Sequence, residues 1–131
     1  MPYEWIEHTA EVELAIEATS EEEAFAEAAA AYAELVARDP GGARAQRELV
    51  LSAPDRAALL AAWVDELVFL AETEGFVPER VASFELDDDA LRARVEGRID
   101  LPAPLVKAVT YHGLEFARDE RGVRARLVLD V

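Results

Sequence analysis

Residues 11–36 read EVELAIEATSEEEAFAEAAAAYAELV, and the period of their apolar residues changes once, at Thr19-Ser20. Before that point Val12, Leu14 and Ile16 alternate with Glu11, Glu13 and Ala15, the two-residue period of a strand with one buried face. After it, Phe25, Ala28, Ala29, Tyr32, Leu35 and Val36 recur at spacings of three and four, the stripe of an amphipathic helix. Ser20 and Glu23 stand at capping-box spacing: the hydroxyl accepts from the N3 amide and the carboxylate reaches back to the cap. The pattern predicts one strand over 3–18 and a helix from Glu21 to Ala37, ended by the breakers Asp39-Pro40-Gly41-Gly42.

The same signals recur further on. Residues 46–52 read as a short strand. Asp55 can cap a second helix running to Thr73, with Leu59, Leu60, Trp63, Leu67, Leu70 and Ala71 as its stripe and Gly75 past its end. Val81–Leu86 and Leu91–Arg98 flank Asp87-Asp88-Asp89 as a hairpin. Two prolines make residues 100–104 a rigid loop, kept out of any central strand. Residues 105–117 and 123–131 form a final hairpin around 118–122. Consecutive strands without crossover helices pair antiparallel. The expected fold is α+β: one domain over residues 1–131, with two main helices packed on one face of a mostly antiparallel sheet.

Composition narrows the function classes. The chain has 131 residues, of which 52% are hydrophobic, and no cysteine. It is too apolar for intrinsic disorder. Disulfides, thiolate metal sites and thiol nucleophiles are excluded together. No apolar run reaches the ~18 residues of a membrane span. The N-terminus shows no export signal, so a soluble cytoplasmic domain is expected. The formal net charge is −15. Nucleic-acid affinity rests on cations that neutralise phosphates, so direct nucleic-acid binding is not expected. A basic protein surface or a divalent cation suits this charge better, although acidity can also serve solubility alone.

Few residues can carry chemistry. The only histidines are His8, in Glu7-His8-Thr9-Ala10-Glu11, and His112, in Lys107-Ala-Val-Thr-Tyr-His112, which also holds the only lysine. His112 shares strand parity with Leu114 and Phe116, which places it as a structural histidine beside the core. In the last strand Val123, Ala125, Leu127, Leu129 and Val131 share one face, and Arg124, Arg126, Val128 and Asp130 share the other. If the first and last strands are neighbours, Glu11 and Asp130 meet on the polar side, with a terminal carboxylate beside them if the chain ends at Val131. Clustered carboxylates are the ligands that Ca²⁺ or Mg²⁺ selects. The alternative is a solvated acidic edge neutralised by Arg124 or Arg126. Asp87-Asp88-Asp89 lacks the spacing of a calcium loop and reads as a turn. No phosphate-binding glycine loop, serine elbow or metal-spaced histidine pair is present.

Taken together these segments resemble the archease family. Glu7-His8-Thr9-Ala10-Glu11 is similar to its N-terminal Glu-His-Thr-Ala-Asp motif. Leu59-Leu60 through Trp63-Val64-Asp65-Glu66-Leu67 is similar to its Leu-Leu-x-x-Trp-Leu-x-Glu-Leu helix. Lys107-Ala-Val-Thr-Tyr-His112 matches its Lys-Ala-Val-Thr-Tyr-His motif, and Leu129-Asp130-Val131 its acidic end. The resemblance implies a strand-helix-strand-strand fold with inserted elements. It also implies a protein cofactor of an RtcB-type RNA ligase in tRNA splicing and RNA repair, promoting guanylylation of the ligase histidine and its turnover. By the same resemblance, Glu11, Asp130 and Val131 would hold a divalent metal, calcium in crystals, with His8, Lys107 and His112 as the other motif residues. The sequence departs from the family pattern at Glu11, usually Asp, where the charge moves one methylene outward. It departs again at Glu13, often Gly, and in Leu101–Leu105, which lacks the usual polar residues.

The leading expectation is therefore a non-catalytic, metal-binding activator of an RtcB-type ligase. The alternatives are a chaperone-like modulator of another RNA-modifying enzyme and a small metal-dependent hydrolase using His8 or His112. The sequence assigns no oligomeric state.

Overall fold

The computed structural model describes residues 2–8, 11–36, 42–100 and 106–131. Among these described residues seven strands and two helices follow one another as β1 (Tyr3–His8), β2 (Glu11–Ala18), α1 (Glu21–Val36), β3 (Ala43–Ser52), α2 (Arg56–Glu74), β4 (Phe76–Leu86), β5 (Ala90–Ile99), β6 (Ala108–Asp119) and β7 (Gly122–Asp130). Ala37, the loop residues 39–41 and the segment 101–105 lie outside the described residues.

The α+β class holds, but the strands form two antiparallel sheets rather than one. A four-stranded sheet has the order β1-β2-β7-β6, and a three-stranded sheet the order β3-β5-β4. The single strand expected over 3–18 is an antiparallel pair, with Tyr3 opposite Ile16 and His8 opposite Glu11. The reason lies in parity. Tyr3 and Trp5 are odd-numbered, whereas Val12, Leu14 and Ile16 are even. One continuous strand would turn these two sets to opposite faces. Reversing the chain sets Tyr3 and Trp5 opposite Ile16 and Leu14, and all four pack into the core.

Both helices begin and end on local chemistry. Ser20 Oγ accepts the Glu23 amide at 3.1 Å. The Glu23 carboxylate, expected to reach back to the cap backbone, takes the Thr19 hydroxyl instead. Asp55 caps α2, its carboxylate accepting the Ala58 amide at 2.8 Å. Gly75 closes α2 at φ 70°, its amide donating to Ala71 O at 3.0 Å. Among the described residues no helix is long and apolar enough to cross a membrane.

β4 starts at Phe76, five residues before the expected Val81. Pro78 is tolerated within it because β4 is an edge strand, where a missing N–H need cost no ladder bond. The core lies where the helices meet both sheets. α1 packs on β2 and β4, and α2 on β6, β4 and β3. Phe25 joins the two layers: its ring lies 5.5 Å from Phe84 of β4 and 6.0 Å from Phe116 of β6. Trp63 is 0% exposed, as its stripe position requires, and its indole N–H donates to Phe25 O at 2.9 Å.

Candidate metal and partner site on the four-stranded sheet

The strand order places β2, near the start of the chain, beside β7, near its end. On β2 the inner residues Leu14 and Ile16 are buried, so Glu11 and Glu13 face the other side. β7 runs antiparallel to β2 with Asp130 directly opposite Glu11. Ala108 of β6 stands on the other side of Asp130, and the Lys107 amide donates to Asp130 O at 2.8 Å. His8 of β1 completes the row, its backbone opposite Glu11. One rung across four strands thus collects His8, Glu11, Asp130 and the start of the Lys107 segment. The side chain of His8 lies outside the described residues. Directly opposed residues share a face with Cα atoms roughly 4.5–5.5 Å apart, so the Glu11 and Asp130 carboxylates can converge.

His112 reaches the same region by a route that parity did not foresee. Between the pairs Thr110–Val128 and Glu115–Arg126, residues 111–114 of β6 stand against Leu127 alone. Gly113, at φ 72°, supplies the left-handed residue that this bulge contains. The bulge breaks the parity between His112 and Leu114/Phe116. His112 is therefore exposed, not a structural histidine beside the core, while Leu114 and Phe116 keep their contacts with it. The His112 amide donates to Thr110 Oγ1 at 3.2 Å. Gly113 lies over Val128, which is only 4% exposed although it sits on the polar face. A cavity of about 200 Å³ results, lined by Glu11, Glu13, His112, Gly113, Arg126 and Val128.

The charges in this cavity are arranged unevenly. Arg126 pairs with Glu13 at 3.3 Å, and Arg124 with Asp119 at 3.9 Å. Neither arginine neutralises Glu11 or Asp130, and among the described residues no cation pairs with those two carboxylates. The alternative of an acidic edge neutralised by Arg124 or Arg126 thus holds for Glu13, which Arg126 pairs, but not for Glu11 or Asp130. Lys107 is exposed, and Val131 packs its side chain against the core. Among the described residues no group of three or more His, Asp or Glu side chains is gathered around one point. Glu11 and Asp130 offer oxygen donors of the right kind for a hard cation, but fewer than the six to eight that Ca²⁺ takes, so water would have to supply the rest. Asp87-Asp88-Asp89 forms the β4–β5 turn, as its spacing indicated, with Asp88 O accepting from Arg56 at 2.8 Å.

Sequence reasoning set Arg126 on this polar face but did not assign Glu13 or Gly113 to the site. One signal was available. An isolated glycine inside a strand pattern marks a bulge, and Gly113 sits one residue after His112.

Comparison with known proteins agrees with the fold. Residues 3–131 match the archease protein family (MTH1598/TM1083). The protein archease of Methanosarcina mazei is 30% identical, over 98% of this chain and 95% of its own length. That of Pyrobaculum islandicum is 32% identical over the same shares. Among solved structures, the solution structure of Methanobacterium thermoautotrophicum protein 1598 superposes with a TM-score of 0.73 at 28% identity, covering 99% of both chains. A crystal structure from Thermotoga maritima, described as an archease and possible chaperone, has a TM-score of 0.71 at 24% identity, covering 96% of this chain and 94% of that one, and supports the fold. With the fold and the full-length match in agreement, the chain belongs to the archease family.

Proposed function

We propose that this chain is a non-catalytic, metal-binding activator of an RtcB-type RNA ligase. In this reading it acts in the cytoplasm on tRNA splicing and RNA repair, promoting guanylylation of the ligase and its turnover. The observation that carries the reading is the rung at the end of the four-stranded sheet, where the motif segments of a family member meet around two carboxylates that no cation among the described residues neutralises. Glu11 and Asp130, with the main chain at Val131, would hold the divalent ion, for which calcium is the first candidate. When bound, the ion would supply positive charge at the tip of an otherwise acidic molecule. The role of the chain's own residues is to present that tip. Strand pairing sets Glu11 against Asp130, and the β6 bulge brings His112 alongside. The net charge of −15 suits a basic, phosphate-handling protein surface and speeds encounter with it.

The test is reconstitution with the host's ligase, GTP and divalent metal, following guanylylated ligase and ligated RNA over several turnovers. Stimulation that disappears with Asp130→Ala is the expected result. Equal ligase rates with and without the protein, across metal concentrations, would remove the reading. Calorimetric titration should show one divalent-ion site that weakens in Glu11→Gln and in Asp130→Asn. Stimulation of a different RNA-modifying enzyme, or hydrolysis by the chain alone that is lost with His112→Ala, would favour the modulator or hydrolase alternative.

A further inference from the structure

The four sheet edges of this fold are treated differently. β1 is six residues long and follows Pro2. β6 is broken by the bulge at 111–114. β4 contains Pro78 and two register shifts, and α1 packs beside it. Each of these features blunts an edge against further strand pairing. β3 has none of them. It pairs with β5 in unbroken register from Ala43 to Ser52, without proline or bulge. Among the described residues its other edge carries no partner strand.

The charge pattern of β3 says what could pair there. Its solvent face carries Arg44, Gln46, Glu48 and Val50, all exposed, and Val50 is 62% exposed. Arg44 and Glu48 form no ion pair among the described residues. Arg47, on the inner face, is already neutralised by Glu74 at 2.6 Å and stacks over Phe76. It is therefore not an unpaired guard charge. A second β3 laid antiparallel must keep like faces together, which allows only registers centred on a residue. Centred on Glu48, the two glutamates would oppose each other, and centred on Arg47, neither Arg44 nor Glu48 would meet an opposite charge. Centred on Gln46, Arg44 of each copy faces Glu48 of the other, twice over. In that register Val50 covers Gly42 of the second copy, and the Arg47 stem covers Ala45.

We propose that β3 is the seam of a homodimer, joining two three-stranded sheets into one six-stranded antiparallel sheet through reciprocal Arg44–Glu48 pairs. A seam of one strand per copy is a small interface, so the dimer is weak and concentration-dependent. It leaves the Glu11–Asp130 end of the other sheet outside the contact and does not depend on the ligase reading.

Sedimentation equilibrium over a wide concentration range tests the proposal. The wild-type chain is expected to show a reversible monomer–dimer equilibrium. Arg44→Glu and Glu48→Arg should each weaken it about tenfold or more, because each puts like charges opposite one another twice. The double variant Arg44→Glu/Glu48→Arg recreates both pairs with exchanged signs and should restore the dimer to within about threefold of wild type. Thermal melts of all four proteins check that these exposed substitutions leave the fold intact. A wild-type chain that stays monomeric at every concentration overturns the proposal, and leaves the edge to a strand from another protein. A dimer indifferent to either single reversal overturns it too, as does a double variant no tighter than the singles.

Discussion

Tyr32 shows how one side chain can tie stability to pH. It is 1% exposed between α1 and α2, and its hydroxyl donates to Leu67 O over a long 3.4 Å. Burial disfavours the phenolate and pushes the tyrosine pKa well above its ordinary value. The unfolded chain therefore loses this proton first as pH rises. The contribution is fully present below the ordinary tyrosine pKa of about 10, and it is lost progressively above that value. Urea unfolding of the wild type should show falling stability across this alkaline window. Tyr32→Phe should flatten the fall while changing stability near neutrality by less than about 1 kcal/mol, since the hydrogen bond is weak. An unchanged alkaline slope in the variant would show that other groups control it.

At the level of elements, two glycines with nearly the same backbone angle do different work. Gly75 ends α2 at φ 70°, and Gly113 sits in the β6 bulge at φ 72°. Any L-residue placed there meets the left-handed strain of about 1–2 kcal/mol. Space separates the two. A Cβ at Gly75 would lie 2.2 Å from Asp100 O, a backbone atom, whereas one at Gly113 would meet only Val128 Cγ2 at 3.8 Å. Gly113→Ala should therefore cost no more than the strain, and Gly75→Ala clearly more, because the 99–100 backbone must also shift. Chemical denaturation of the two variants side by side measures the difference. Equal losses would show that the approach of Asp100 to the end of α2 relaxes freely.

Over the whole molecule, stability depends on the helices holding two sheets at once. Phe25 touches an aromatic ring from each sheet, and Trp63 meets it edge-on at 64° and 6.4 Å. Trp63 also packs against Phe84 at 5.8 Å and is wholly buried. Removing its ring opens a cavity at the junction, so Trp63→Ala should cost about 3–5 kcal/mol. Equilibrium unfolding checks this, and a loss under about 1 kcal/mol would mean that the sheets close over the gap. The junction also holds the four-stranded sheet that presents the Glu11–Asp130 rung.

The sequence by itself determined the helices, the starts of both and the end of α2, the α+β class and the family. Caps and stripes bind residues three or four apart, as Ser20 with Glu23 and Asp55 with Ala58, so their chemistry is written locally. The polar faces of β2 and β7 were legible too, because side-chain alternation is a property of each strand alone. Only the tertiary structure decided which strands pair. Val12-Glu-Leu-Ala-Ile reads the same in a single strand, in a hairpin or in either of two sheets, and the choice depends on what the far side of the sheet buries. The reversal after His8 sets Glu11 between His8 and Asp130. The bulge at 111–114 moves His112 from the core to the polar cavity, and its one local trace is Gly113. Both outcomes depend on hydrogen bonds between distant segments, whose partners no local pattern names.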